Sequence, residues 1–234
     1  MKKVILAMIL SFIYLHAYPS IFKEVKNEAD AKSMYEKYKN LFNNDKNNYE
    51  YAYKYCAFAR FYGFYFLKEK SEREKVFEEA KNAGEVAVKL SPNSPEGHYF
   101  LGVAYGSWAE EKGVMNSLFL AEPIVDEMTK VIKIDPSFRN GSAYMVRGRV
   151  YQKAPGWPIS IGDKQKAQED FEKAITYTNR QAYRYYAEFL IDQNQKEKGL
   201  EIIEKGLSLP PGEEKIVDEY EIKMLSILRD KIKK

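Results

Sequence analysis

The sequence predicts an all-α fold: a solenoid of helical hairpins with extended hairpins and a C-terminal capping helix. Three observations predict it. A stripe of side chains recurs four times at nearly constant steps: Ala80, Gly84, Ala87 and Pro92; Ile124, Met128, Val131 and Pro136; Ala167, Phe171, Ala174 and Asn179; Gly199, Ile203, Gly206 and Pro211. Steps of four and three keep the first three members of each set on one helical face, and the proline that closes three of the sets stops the helix. Upstream of the first set, Tyr51, Tyr55, Phe58, Ala59, Tyr62 and Phe66 again fall at helical spacing, which pairs the striped helix with a second one. Small residues in the stripe let that second helix approach closely.

Along the chain, a partial unit comes first. Ala31, Tyr35 and Tyr38 copy the stripe, and Asn43-Asn44-Asp45 closes it with turn residues. The first full unit starts with a helix from near Asn48 to about Lys68. Tyr49, Tyr51, Tyr53 and Tyr55 alternate as a strand would, but the run is long and continues with helical period. Its partner runs from about Ser71 to Leu90, with Ser71 and Glu74 at capping-box spacing. The second unit opens at Pro95, continues with His98, Leu101, Gly102 and Tyr105, and has its second helix over about Glu122 to Ile134. The third has Tyr144, Gly148 and Tyr151, then a helix from Asp163 to Tyr177 that Asp163 caps. The fourth has Tyr183, Ala187 and Leu190, then a helix over Lys196 to Leu207. A last amphipathic helix, about Glu213 to Lys233, shields the terminal apolar surface from water.

These hairpins resemble tetratricopeptide repeats, whose period is roughly 34 residues. The fourth unit fits that period: Leu190 to Gly199 is nine residues. The equivalent step is 18 from Tyr62 to Ala80, 19 from Tyr105 to Ile124 and 16 from Tyr151 to Ala167. The clearest surplus pieces are Trp108 to about Leu120 and Lys153 to Gly162. Insertions at one place in successive units line one edge of a stack. That edge is the first candidate for a functional surface; longer helices are the alternative.

The chain has 234 residues, 45% of them hydrophobic, enough for a sizeable core in one repeat domain over residues 18–234. Its 37 basic and 34 acidic residues nearly balance, which gives no electrostatic case for nucleic acid or for an anionic membrane. Residues 1–17 read as a signal peptide: Lys2 and Lys3 precede the apolar run Val4 to Leu15, which is too short to span a bilayer comfortably, and Ala17 offers a small residue at the cut. The expected location is therefore periplasmic or secreted, with an uncleaved inner-membrane anchor as the alternative. Cys56 has no second cysteine to pair with and no histidine beside it, so it reads as a small buried hydrophobe.

Catalytic constellations are scarce, and no enzyme activity, metal or cofactor is expected. With His16 in the leader, His98 is the one histidine left; a packing or hydrogen-bonding role suits it better than a Ser-His-Asp relay without a nucleophile elbow. Glu110-Glu111 and Glu213-Glu214 are adjacent, point in different directions on a helix, and read as solvated surface. The segment Ala154 to Lys164 lacks the order of a phosphate-binding loop. Pro155 and Pro158 stiffen it around Trp157, which either tucks against its hairpin or presents a rigid aromatic contact to a partner. Trp108 in the other insertion carries the same two readings. Arg60, Tyr99, Met145, Arg149, Arg184 and Glu188 fall at inward positions of their first helices. They line either a binding groove or a solvated wall, and the concave side is where repeat proteins commonly bind.

Gly97-His98-Tyr99-Phe100-Leu101-Gly102-Val103-Ala104-Tyr105-Gly106, followed by Lys112-Gly113, Pro155-Gly156-Trp157-Pro158, Gly162-Asp163-Lys164 and Lys166-Ala167, resembles the T-component proteins associated with TRAP transporters. The resemblance covers roughly residues 50 to 210. It implies a periplasmic helical-repeat scaffold that associates with the solute-binding subunit of the transporter and helps pass on an apolar or carboxylate ligand. The lipid-anchoring cysteine common in that family is missing here. A general cell-envelope scaffold and a small apolar ligand carrier are the alternatives.

Overall fold

The computed structural model describes residues 20–233, so the expected signal peptide over residues 1–17 lies outside the described residues. Among the described residues ten helices follow one another: α1 (Glu28–Asn44), α2 (Tyr49–Tyr65), α3 (Lys70–Leu90), α4 (Pro95–Lys112), α5 (Val114–Ile134), α6 (Phe138–Lys153), α7 (Lys164–Ile175), α8 (Arg180–Asp192), α9 (Lys196–Leu207) and α10 (Lys215–Ile232). Among the described residues the only β interaction is an isolated bridge between Gly156 and Gly162. The all-α hairpin solenoid is therefore what the sequence folds into.

Each stripe packs as its chemistry predicts. Ala80, Gly84 and Ala87; Ile124, Met128 and Val131; Ala167, Phe171 and Ala174; and Gly199, Ile203 and Gly206 are all buried. At Gly84 a Cβ would stand 3.1 Å from the backbone Cα of Leu101, which is why α4 can pack so closely on α3. Alternate helices α2, α4, α6 and α8 also touch one another, whereas α3, α5, α7 and α9 share no extensive contact. Neighbours that meet on one side and splay on the other make a curved stack, with α2, α4, α6 and α8 on its concave face.

The caps follow from local sequence. Asn48 and Asn179 accept from Tyr51 N and Gln181 N, and Asp163 accepts from Gln165 N and Lys166 N. Pro95 occupies the first turn of α4. The Ser71–Glu74 capping box does not form: α3 begins at Lys70, so Ser71 is already helical, and Glu74 pairs with Lys112 instead. The surplus at the second tip is helix rather than loop, because α4 runs on to Lys112 and Gly113 turns the chain at φ 99° straight into α5. The surplus at the third tip is a true loop, with a cis bond between Trp157 and Pro158.

His98 is core. It is 2% exposed, its Nδ1–H donates to Glu127 Oε2 at 2.5 Å, and its Nε2–H donates to the Pro92 carbonyl at 2.8 Å. The Pro92 carbonyl and the ionised Glu127 carboxylate both accept, so the site favours the imidazolium with a proton on each ring nitrogen. The Glu127 bond, more than the Pro92 one, holds the imidazolium pKa above its ordinary value. Burial works to raise the Glu127 carboxyl, but the bonds from His98 and Lys130 outweigh it and lower its pKa. Cys56 is fully buried, and that burial pushes its thiol pKa up, as expected of an inert cysteine.

Candidate functional site

Two surfaces emerge, an edge and a groove. The edge is built by the tips of consecutive hairpins. On α5, Val114 is 76% and Phe119 71% exposed, with Met115 beside them. In the loop between α6 and α7, Trp157 is 90% exposed and Ile159 is also open. Trp157 is thus presented rather than tucked. Lone exposed apolar residues need no explanation, but a set of large ones on adjacent tips marks a contact surface.

Trp108 does not belong to that edge. It lies on α4 against α3, where Lys81 sits 5.7 Å from its ring, and its indole N–H is buried with no partner among the described residues. The extended α4 carries it into a helix interface instead of a protruding insertion.

The groove is the concave face, and the chain fills it. Phe22, from the segment that precedes α1, stacks on Phe61 of α2 at 4.4 Å and meets Phe58 and Phe100 edge-on. From the other end, α10 crosses the same face. Its Tyr220 packs edge-on against Phe64 and Tyr65 of α2, and Ile216 and Val217 join the core cluster of the N-terminal hairpins. The terminal helix therefore does more than shield the last hairpin.

The inward candidates divide accordingly. Tyr99 is buried beneath Phe100 and Phe138, and its ring lies under the Arg139 guanidinium at 5.7 Å. Met145 is buried with Ala174 and Ala182, in the packing between hairpins. Arg60 lines the groove, its guanidinium 4.4 Å from the Phe64 ring and its Nε–H donating to Ser107. Arg149 pairs with Glu188 at 2.7 Å, and Glu188 also receives Arg184 at 2.9 Å. Arg184 is buried under α10, where Glu221 accepts from its Nε and Nη2 at 2.5 and 3.2 Å.

Sequence reasoning missed Arg139, Arg180, Glu214, Asp218 and Glu221 as members of this electrostatic set. Arg139 donates to both carboxylate oxygens of Glu214, at 2.7 and 3.0 Å, and Arg180 donates to Asp218 and to the Gly206 carbonyl. Glu214 is thus a buried-side partner, not the solvated surface its sequence neighbours suggested. Arg139, Asn140 and Gly141 form a left-handed turn at φ 47°, 54° and 67°, costly for the two residues that carry a Cβ. Burial would lower the Arg184 pKa, but Tyr185 and Glu221 together more than reverse it. On the other side of the pair, burial raises the Glu221 carboxyl further than Arg184 lowers it. A usable signal existed: Glu214, Asp218 and Glu221 repeat the steps of four and three with carboxylates. Among the described residues no group of three or more His, Cys, Asp or Glu side chains is placed to hold a metal, and no helix is long and apolar enough to cross a membrane.

A family model described as Regulator of microtubule dynamics protein 1-3 matches residues 21–151. It is a different family from the T-components whose motifs the sequence resembles. Among solved structures, the chain is similar to TTC0263, a thermophilic TPR protein of Thermus thermophilus, with TM-score 0.62 and 14% identity over 86% of this chain and 91% of that one. It is also similar to MamA, with TM-score 0.52 and 20% identity over 81% of this chain and 94% of that one. At such identities the likeness concerns the fold alone, and it establishes a tetratricopeptide-like architecture. A comparison with curated protein sequences gives no match.

Proposed function

The chain belongs to the family described as Regulator of microtubule dynamics protein 1-3, and from that premise we propose that it is a non-catalytic scaffold that binds a protein partner through its hairpin-tip edge. The observation that carries this reading is the exposure of Val114, Met115, Phe119, Trp157 and Ile159 on adjacent tips of a tetratricopeptide-like stack. Large apolar side chains held open on rigid elements are what anchor protein interfaces. A small-molecule carrier is less well supported. A cavity in the groove, lined by Phe22, Tyr65, Phe100 and Val217 among others, measures about 40 Å³, far below the ~300 Å³ at which ligand pockets begin.

The test is site-specific photocrosslinking in cells, with the reactive residue at 157 or 119 and, as control, at Lys205 on the outer helix α9. Adducts at 157 and 119 that are absent at 205, and lost when the other edge residues are changed to serine, support the edge. Equal yield at all three positions rejects it.

A second reading places the scaffold outside the cytoplasm, held against a periplasmic solute-binding subunit of a TRAP-type transporter. What supports it is the Lys2-Lys3 start with the apolar run Val4 to Leu15, together with the Pro155-Gly156-Trp157-Pro158 motif. A cleaved N-terminus in the exported protein, and a solute-binding subunit as the adduct at position 157, are the results expected of it. An intact N-terminus on a cytoplasmic protein refutes it.

A further inference from the structure

The concave groove is lined with arginines, and the helix lying in it meets them with a row of acids. Glu214, Asp218 and Glu221 follow at steps of four and three; Asp218 and Glu221 share one face of α10, and Glu214, the N-cap residue just before the helix, begins the row. Each meets a different arginine: Glu214 meets Arg139 at the start of α6, and Asp218 and Glu221 meet Arg180 and Arg184 on α8. Between the acids, Val217 and Tyr220 supply the apolar contacts, with Tyr220 against Phe64 and Tyr65.

This is a poor design for a permanent cap. Of the 18 residues of α10, only Glu221 and Leu225 are buried, and the side chain of its N-cap residue, Glu214, makes no capping bond to the helix backbone. Burying ion pairs returns little net free energy, because desolvation consumes most of the attraction; a capping helix gains more from leucines. The helix is tethered by Ser208-Leu209-Pro210-Pro211-Gly212, a segment without regular structure over most of its length. The groove also has cationic capacity that α10 leaves unused. The Arg139 Nε is buried without an acceptor, and Arg60 faces the groove with no carboxylate partner among the described residues.

We propose that the concave groove is a receptor for an acidic amphipathic helix of a partner protein, and that α10 is its resident stand-in, displaced when that helix binds. The partner helix carries acids spaced as 214, 218 and 221, with an apolar or aromatic residue before the second and third. This deepens the scaffold reading and rests on it, but it concerns a surface separate from the hairpin-tip edge. Failure here leaves the edge crosslinks unaffected, so the two can fail independently.

The test uses the full chain and a fluorescent peptide copying residues 213–233 as the probe. In the variant Glu214→Gln/Asp218→Asn/Glu221→Gln, the resident helix loses its charges while the groove stays intact. Fluorescence anisotropy is expected to show this variant binding the peptide at least tenfold more tightly than the unmodified chain. Adding Arg184→Met to that variant is expected to lower the affinity again by at least tenfold. In the unmodified chain, excess peptide is expected to raise amide exchange over residues 215–232 while leaving α8 protected, which reads displacement without relying on any variant. Equal affinity of the amide variant and the unmodified chain, or equal binding of a scrambled peptide, overturns the proposal. So does exchange of α10 between two copies, seen as a dimer by light scattering at the concentrations used, since the occupant is then a second copy of this chain.

Discussion

Replacing His98 by Leu probes the buried ion pair at the centre of the α4–α5 hairpin. The substitution removes the donor to Glu127, whose side chain is 10% exposed, and leaves that carboxylate with Lys130 alone at 2.8 Å. A charge-assisted bond is worth about 1.5–3 kcal/mol. The bond to the Pro92 carbonyl adds less, because Pro92 itself is exposed and water replaces the lost donor. The expected loss is about 2–3 kcal/mol, which in a chain of this size lowers Tm by roughly 4–12 °C. The pH dependence sharpens the test. The His98 pKa is raised in the folded state, so its contribution is complete below its unfolded value near 6.5 and disappears as pH rises through the folded pKa. The Glu127 pKa is lowered, so its contribution is present above about 4.5 and disappears as pH falls through its folded pKa. Together they place the greatest stabilisation by the pair between about pH 4.5 and 6.5. Thermal melts followed by circular dichroism at pH 6 and pH 8 read both effects. The native chain should lose Tm between these values, and the Leu variant should lose less. Equal pH slopes for the two proteins, or a Leu variant as stable as the native chain at pH 6, would refute the assignment of a charged, structural His98.

Other expectations follow from packing. Gly84→Val places methyl groups against the Leu101 backbone and the Cys56 sulfur and should cost about 1–3 kcal/mol in urea unfolding. By contrast, Gly106→Ala meets only Ile124 at 3.9 Å and should stabilise the chain by up to about 1 kcal/mol through helix propensity. A similar loss for both would show that the α3–α4 contact is not what demands glycine. Asp163→Ala removes the acceptor for Gln165 N and Lys166 N; about 1 kcal/mol should be lost, with faster amide exchange confined to the first turn of α7. Cys56 should resist a thiol reagent in the native chain and react fully in urea; rapid native labelling would contradict its burial.

Much of the architecture was legible because its signals are short-range. The stripes Ala80-Gly84-Ala87 and Ala167-Phe171-Ala174 are set by helical period alone, and Pro95 and Asp163 announce their helix starts by local chemistry. The errors were equally local in origin. Ser71 and Glu74 have capping spacing, yet Lys70 already begins the helix behind the N-cap residue Glu69, so Ser71 has helical backbone and cannot cap. Met145 has the spacing of an inward position, yet it is buried, because α6 packs it against Ala174 and Ala182.

The sequence by itself determined that the chain forms α-helical hairpins, where most of them begin and end, and that the third hairpin carries a proline-stiffened loop around Trp157. Only the tertiary structure decided what fills the concave face. The partners Arg139 and Glu214 stand 75 residues apart, Arg180 and Asp218 38, and Arg184 and Glu221 37. No local period links such pairs. They meet because small steps in packing, each set by a glycine or alanine at a helix contact, accumulate into a curve that brings the inner helices under α10. Curvature is a sum over the whole stack, so the site it creates cannot be read from any one segment.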